Sequence, residues 1–139
     1  LILIVLGILS LDTYIRKKDV ELKSLYGENR DKIKNKINSN FDSLIEAAKS
    51  NSPTFMILFK EAYPAFWARL TEVDPALTAA ELHLCALTYL NFSTKQIAEI
   101  VDIQISSVQA RRSRLRRKIS LDVDVDFGDF LRELAMNGV

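Results

Sequence analysis

The chain has 139 residues, 48% hydrophobic and 27% charged, with a formal net charge of +1. These globular values exclude extensive disorder, and the length suits one domain or a small domain with an extended appendage. A single Cys excludes an internal disulfide, and with a single His it gives no structural zinc site. Scarce Gly and Pro favour helix, so we predict an all-α fold with no metal or cofactor, in a reducing cytosol.

The first eleven residues, LILIVLGILSL, form an uncharged apolar run that DTYIRKKD follows directly. A membrane span needs roughly 20 apolar residues, so the run alone is too short. The chain does not begin with Met, and we predict that residues 1–15 are the end of a transmembrane helix from a longer protein. Arg16, Lys17 and Lys18 are then its cytoplasmic flank, tethering the rest to the inner membrane. A signal-peptide core and a buried helix are the alternatives.

Residues 16–50 are highly charged and almost free of Gly and Pro. A narrow apolar seam starts at Ile15 and runs along them, and its other members are Leu22, Leu25, Ile33, Ile37, Phe41, Leu44 and Ala48. Such a seam on a polar helix predicts a short coiled coil and hence a homodimer. Asn29 interrupts the seam, and Gly27 with Asn29 is a candidate helix break. The alternative is one amphipathic helix docked on its own domain.

Residues 51–76 are predicted to form aromatic-rich connecting helices. Ser52 is a candidate N-cap for a helix whose first position is Pro53. Pro64 is expected to kink or restart that helix. Aromatic side chains recur at helical spacing, which is more typical of a core than of a ligand site: Phe55, Phe59, Tyr63, Phe66 and Trp67.

Two capping boxes, Thr78 with Glu81 and Ser93 with Gln96, mark consecutive helix starts in residues 77–139. The helix after the first box is predicted to direct one face inward, made of Leu82, Cys85, Ala86 and Tyr89. The helix after the second box is short, Thr94–Val101, and a turn through residues 102–104 leads to a third helix at about 106–119. Two short helices joined by a tight turn, the second basic, are typical of a helix-turn-helix.

The third helix has three predicted faces. At 100° per residue, Val108, Leu115 and Ile119 point in one direction and form the core stripe, flanked by Arg111 and Arg112. The outer face holds small or amide side chains first and cations later, as a helix in a major groove requires. Its members are Ser106, Gln109, Ala110, Ser113, Arg114 and Arg117.

Charge is segregated along this part of the chain. Residues 79–119 hold seven Lys or Arg and three Asp or Glu, whereas residues 120–139 hold one and five. No acid lies between Asp102 and Asp122, although a solvated surface helix usually interleaves acids with bases. This pattern favours nucleic-acid binding. The acidic piece DVDVD is predicted to be a linker, with a strand as the alternative, before a final helix starting near Asp129 that packs on the bundle.

Residues 77–121 resemble the LuxR/GerE-type helix-turn-helix of bacterial transcription regulators. The matching positions are Leu77, Thr78, Glu81, Ser93, Lys95, Ile97, Ala98, Ile103, Ser107, Val108, Lys118 and Ile119. Asn91 replaces the usual Gly and tolerates the left-handed conformation, whereas Gln104 replaces a Ser cap, for which Ser106 is a substitute. The segments LCAL, LNFSTKQIA and R-x-R-L-R-x-K are most similar to Bacteroidetes regulators with an upstream sensor or tetratricopeptide-repeat region, a membrane span and a coiled coil.

The resemblance implies a role for individual side chains in binding double-stranded DNA. Base contacts fall on Gln109, Ala110 and Ser113, and Gln109 is the best candidate because Gln can form two hydrogen bonds to adenine. Phosphate contacts fall on Lys95, Ser107, Arg112, Arg114 and Arg116, to which the outer-face analysis adds Arg117.

Other functions fit the sequence less well. No Gly-rich phosphate loop or catalytic constellation is present, and His83 and Cys85 lie on different helix faces, so we expect no enzyme. The main alternative is a membrane-tethered coiled-coil adaptor whose basic helix binds lipid or a protein. A promoter-recognition module like that of a sigma factor would need a polymerase-binding region, which is not visible.

Overall fold

The computed structural model describes residues 1–137, so the last two positions of the predicted C-terminal domain lie outside the described residues. Every regular element in the described chain is an α-helix, which confirms the all-α prediction. The helices are α1 (Ile2–Lys49), α2 (Phe55–Ala62), α3 (Pro64–Val73), α4 (Ala79–Tyr89), α5 (Thr94–Val101), α6 (Ile105–Lys118) and α7 (Phe127–Met136).

The chain divides into two units, of which the first is Leu1–Asp42. It is helical from Ile2 onward, and the predicted break at Gly27 and Asn29 is wrong because α1 continues through both. Gly inside a helix costs only about 1 kcal/mol, which a long helix tolerates. Exposed ion pairs one turn apart support it by tenths of a kcal/mol each, such as Lys23–Asp19 at 3.2 Å and Lys32–Glu28 at 3.0 Å. No helix within the described residues has the length and apolar character needed to cross a membrane.

The second unit begins at Ser43 and has α4 at its centre. Five consecutive residues of α4, numbers 84–88, are buried, because α2, α6 and α7 all pack against this helix. The predicted inward face of Leu82, Cys85, Ala86 and Tyr89 was therefore too narrow, because the helix is also buried at Leu84, Leu87 and Thr88. Two of the predicted residues, Leu82 and Tyr89, are only half-buried. A one-sided stripe could not predict these buried residues, because a helix with partners on several sides has no single solvent-facing polar face.

Aromatic rings fill one side of this core, as the sequence predicted. Phe55, Phe59 and Phe66 are buried, and the ring of Tyr89 stacks on Phe66 with centroids 4.3 Å apart. Pro64 begins α3, with Tyr63 alone between it and the end of α2, because proline fits the first helical position. The predicted start of α2 at Pro53 is wrong: α2 begins at Phe55, and the Ser52 hydroxyl accepts the Thr54 N–H at 3.3 Å in the turn before it.

Four helices, α1, α4, α5 and α6, end at a left-handed residue that is not glycine. Asn51, Asn91, Asp102 and Ser120 adopt left-handed backbone angles, with φ between 50° and 68°. After each of them the next N–H turns back to a carbonyl five residues earlier, as in Phe92 N–H to Leu87 O at 3.1 Å. This arrangement satisfies the last carbonyls of each helix. It confirms that Asn91 supports the turn for which the resembling family uses Gly.

The C-terminal helix α7 begins at Phe127 rather than near Asp129. The carboxylate of Asp126 accepts the Asp129 N–H at 2.9 Å, so Asp126 is the N-cap. Phe127 and Leu131 are buried where α7 packs against α3 and α4, as predicted for the final helix. Residues 120–126 form turns rather than a strand, which agrees with the linker interpretation.

Candidate nucleic-acid interface

Both predicted capping boxes are present, and the second one positions α5. The Ser93 hydroxyl accepts the Gln96 N–H at 3.1 Å, while the Gln96 side chain accepts the Ser93 N–H at 2.8 Å. The box satisfies two N–H groups that would otherwise lack partners at the start of an eight-residue helix. At the other end, Asp102 in the left-handed conformation turns the chain toward α6.

The basic helix α6 begins one residue earlier than predicted, at Ile105, and ends at Lys118. Gln104 is its N-cap and supplies no side-chain hydrogen bond, as expected for a residue poor at capping. Ser106 lies inside the helix and does not replace it. The main-chain carbonyl of Gln104 instead accepts the N–H groups of Ser107 and Val108 at 3.0 and 3.2 Å.

Apolar side chains hold α6 on the core at the positions that the sequence predicted. Val108 and Leu115 are each only 1% exposed, and Ile119 is half-buried against the same core. Across the interface, α5 contributes the buried Ile97 and Ala98. The small Ala98 allows α5 and α6 to pack closely.

The opposite side of α6 is open to solvent. Its first two turns present short or amide side chains without charge, and all are exposed: Ser106, Gln109, Ala110 and Ser113. The three predicted base-contacting residues therefore share one accessible surface. Ser107, predicted to contact phosphate, is half-buried beside them.

Three cations of the basic run are bonded within the protein. Arg112 donates from Nη1 to the Thr94 hydroxyl of α5 at 3.0 Å. Arg116 donates from Nη2 to the main-chain carbonyls of residues 122 and 123 at 2.7 and 3.3 Å. Lys118 donates to the carbonyl of Ala76 at 2.9 Å and to Glu81 Oε2 at 2.8 Å. These side chains fasten α6 to α5, to the acidic linker and to the start of α4.

The remaining cations are exposed and have no ion pair or side-chain hydrogen bond to another described residue: Lys95, Arg111, Arg114 and Arg117. Three of the four were predicted phosphate contacts. Arg111 was not among the predicted phosphate contacts and Arg112 was, although helical projection places both beside the core stripe. Only the packed structure separates the two, since Arg112 is half-buried against α5 and Arg111 is not.

Burial and hydrogen bonding change the electrostatics of this unit. The hydrogen bond from Lys118, followed by that from the Thr78 N–H, lowers the pKa of Glu81 below its ordinary value. Burial lowers the pKa of the Arg112 guanidinium, whose Nε is buried without a hydrogen-bond partner among the described residues. An arginine held this way positions helices and is poorly placed to follow a mobile ligand.

The His83 and Cys85 side chains belong to the packing of α4. His83 is half-buried with its ring centroid 5.5 Å from that of Phe55, and burial lowers its pKa. Burial raises the pKa of the Cys85 thiol to about 12, so the reactive thiolate is scarce at neutral pH. No cluster of three or more His, Cys, Asp or Glu suited to a metal ion occurs in the described chain.

Comparison with protein-family models, with curated proteins and with solved structures gives no match for this chain. The similarity to LuxR/GerE-type regulators therefore stands on the residues of the 77–121 segment alone.

Proposed function

We propose that this protein is a sequence-specific DNA-binding transcription regulator in which α5 and α6 form a helix-turn-helix. The observation that carries the proposal is the division of the cations of α6. Arg112, Arg116 and Lys118 are bonded within the fold, whereas Arg111, Arg114 and Arg117 are exposed and have no ion pair or hydrogen-bond partner among residues 1–137. The second group leaves a positive surface on one side of α6, which suits contact with phosphates.

In this proposal α6 lies in the major groove with its uncharged turns toward the base edges. Gln109 forms hydrogen bonds to a base, and Ala110 and Ser113 provide short side chains that allow close approach. Lys95, Arg114 and Arg117 contact phosphates, and we add Arg111 to them. Arg112 and Arg116 act chiefly by orienting α6, so their effect on affinity is indirect.

We also propose that α1 brings two copies together, because its apolar stripe from Ile15 to Phe41 is exposed. Two recognition helices then meet half-sites that are about 34–36 Å apart, one turn of DNA. A change in the pairing of α1 alters the spacing of the two helices and hence occupancy of the operator.

The burial of α6 argues for DNA over the lipid-binding adaptor. A helix that lies on a membrane places a wide face of bulky apolar side chains into the lipid. In α6 the core uses Val108 and Leu115, and Ile105 is its only large apolar residue exposed in the described structure. The basic helix consequently has no free apolar face with which to enter a bilayer.

Selection of bound sequences from random duplex DNA by the full chain tests the proposal. We expect enrichment of one motif, and binding to it that weakens steeply as salt rises. Absence of any enrichment over background would favour the adaptor.

A matched pair of variants tests the base contact. Gln109→Ala is expected to lose preference at one base pair, by about 1–3 kcal/mol, while keeping non-specific affinity. Ser106→Ala, one turn earlier on the same face, is the control. An unchanged preference in Gln109→Ala contradicts its assignment to base readout.

A further inference from the structure

Apolar residues of α1 recur every eleven positions. One column consists of Ile4, Ile15, Tyr26 and Ile37. A second column consists of Leu11, Leu22 and Ile33. All seven side chains are between 51% and 71% exposed, so nothing among the described residues covers them.

An eleven-residue period differs physically from the seven-residue period of an ordinary coiled coil. Eleven residues complete three turns at 3.67 residues per turn, which produces a straight to right-handed supercoil, whereas heptads produce a left-handed one. A heptad column that starts at Ile15 continues to Leu22 and then meets Asn29 and Lys36. With the eleven-residue period Asn29 moves to the flank of the seam, and its apparent interruption of the stripe disappears.

The columns continue in sequence into residues that are packed. Eleven positions after Ile33 and Ile37 stand Leu44 and Ala48, which belong to the core of the second unit and are 2% and 0% exposed. The spacing therefore marks a face that is buried where the chain supplies a partner. Over residues 4–41 the same eleven-residue spacing of apolar side chains continues, but these side chains are exposed.

We propose that a second copy of this chain covers the eleven-residue seam in a parallel two-stranded coil. This inference rests on the dimer included in the proposed function and specifies its geometry. Nine large apolar side chains line the seam when Ile8 and Phe41 at its edge are included. At on the order of 80 Å² each, they bury roughly 700 Å² per chain, close to the ~800 Å² per partner of a stable interface.

The charges beside the seam suit this partner. With the two columns at the centre of a parallel pair, position 19 of one copy faces position 18 of the other. Within one copy Asp19 pairs with Lys23 at 3.2 Å and Lys18 pairs with Glu21 at 3.5 Å, and all of these side chains are exposed. The parallel pairing brings Asp19 and Lys18 of the two copies together as two reciprocal ion pairs that compete with those contacts. The contribution of these ion pairs to the free energy of association is small. The pairing brings no like charges together at these positions, and it favours the in-register arrangement.

Two adjacent residues distinguish the eleven-residue period from a heptad. Tyr26 lies in a column, whereas Leu25 lies about 100° away and would enter the seam only with heptad spacing. Both are exposed, at 71% and 58%, so neither substitution disturbs the fold of one copy. We would measure sedimentation equilibrium of the full chain with Tyr26→Lys and with Leu25→Lys.

Tyr26→Lys is expected to raise the dimer dissociation constant by about tenfold or more, because it places a charge in the seam. Leu25→Lys is expected to change it by less than about threefold, since a surface substitution has little effect. The reverse order would establish a heptad and overturn the inference. A monomeric wild-type chain, or equal effects of the two variants, would overturn it as well.

A cysteine pair tests the parallel orientation. In a parallel coil position 22 faces its own copy, so Leu22→Cys is expected to form an intermolecular disulfide on mild oxidation. Val20→Cys is the control, because Val20 is 66% exposed but lies outside both columns. Equal cross-linking of the two variants contradicts the parallel seam.

The outcomes separate this inference from the proposed function. A monomer that still selects one DNA sequence would overturn the seam and leave the function intact. A dimer without sequence preference would do the opposite.

Discussion

The ammonium group of Lys118 lies 2.8 Å from Oε2 of Glu81, the carboxylate oxygen that also accepts the Thr78 N–H at 2.8 Å. One oxygen therefore completes the capping box of α4 and fastens the last residue of α6. Glu81 is part of the predicted capping box, but its bond to the basic run joins residues 37 positions apart. The final cation of the run consequently belongs to the architecture of the unit.

Removing that cation should cost stability. Lys118→Met is expected to lower the free energy of unfolding by about 1 kcal/mol, because Glu81 and the Ala76 carbonyl each lose a partly buried charged donor. Urea unfolding followed by circular dichroism measures the change. Arg117→Met is the control, and we expect its stability to stay within about 0.5 kcal/mol of wild type. Equal losses in the two variants would contradict a structural role specific to Lys118.

The unpartnered arginines should show the opposite behaviour. Arg114→Gln and Arg117→Gln are each expected to weaken binding of all duplex sequences alike and to reduce the salt slope of log affinity by about one. Their unfolding midpoints should not move. Fluorescence anisotropy against the selected DNA over a salt series provides the measurement. A salt slope identical to wild type in both variants would remove these residues from the phosphate contacts.

Local chemistry in this sequence predicted local structure well. The capping boxes at Thr78 and Ser93 form as expected because both partners lie within four residues of each other. The restart at Pro64 follows from the geometry of the proline ring. Val108 and Leu115 were identified as core because periodicity within one helix is sufficient to group them.

The division of the cations was not predictable in the same way. Arg112, Arg116 and Lys118 differ from Arg114 and Arg117 only in what the fold brings near them. Their acceptors are a hydroxyl 18 positions away, main-chain carbonyls and the Glu81 carboxylate 37 positions away, and the sequence marks none of these as a partner. The predicted starts of α2 and α6 were wrong for a related reason. Main-chain carbonyls, rather than the predicted side-chain caps, accept hydrogen bonds from N–H groups at the beginning of these two helices.

A helix end supplies a stabilising substitution. Ser120 has φ 56° and ends α6, yet a side chain in this conformation costs roughly 1 kcal/mol that glycine avoids. Ser120→Gly is expected to raise the free energy of unfolding by about 0.5–1 kcal/mol. Ser113→Gly, in the middle of α6, should lower it by about 0.5 kcal/mol. Thermal unfolding of both variants provides the comparison, and a loss of stability in Ser120→Gly would contradict the strained-cap account.

The protein should lose stability in acid in two steps. The pKa of His83 is lowered from 6.5 by burial, so the unfolded chain binds its proton first and stability begins to fall as pH drops below about 6.5. The pKa of Glu81 is lowered from 4.5 by Lys118 and Thr78, so its contribution is complete above 4.5 and disappears as pH falls through the folded-state pKa. Both groups therefore act in the same direction.

Variants assign each step to its residue. We expect His83→Gln to flatten the dependence of the unfolding free energy between pH 7 and 5.5, and Glu81→Gln to flatten it below pH 4.5, in urea titrations at fixed ionic strength. Glu81→Gln should also be less stable than wild type at pH 7, because Lys118 then loses its anionic partner, whereas His83→Gln should keep the acid step of Glu81. A His83→Gln protein that retains the full decline from pH 7 to 5.5 would show that another group titrates there.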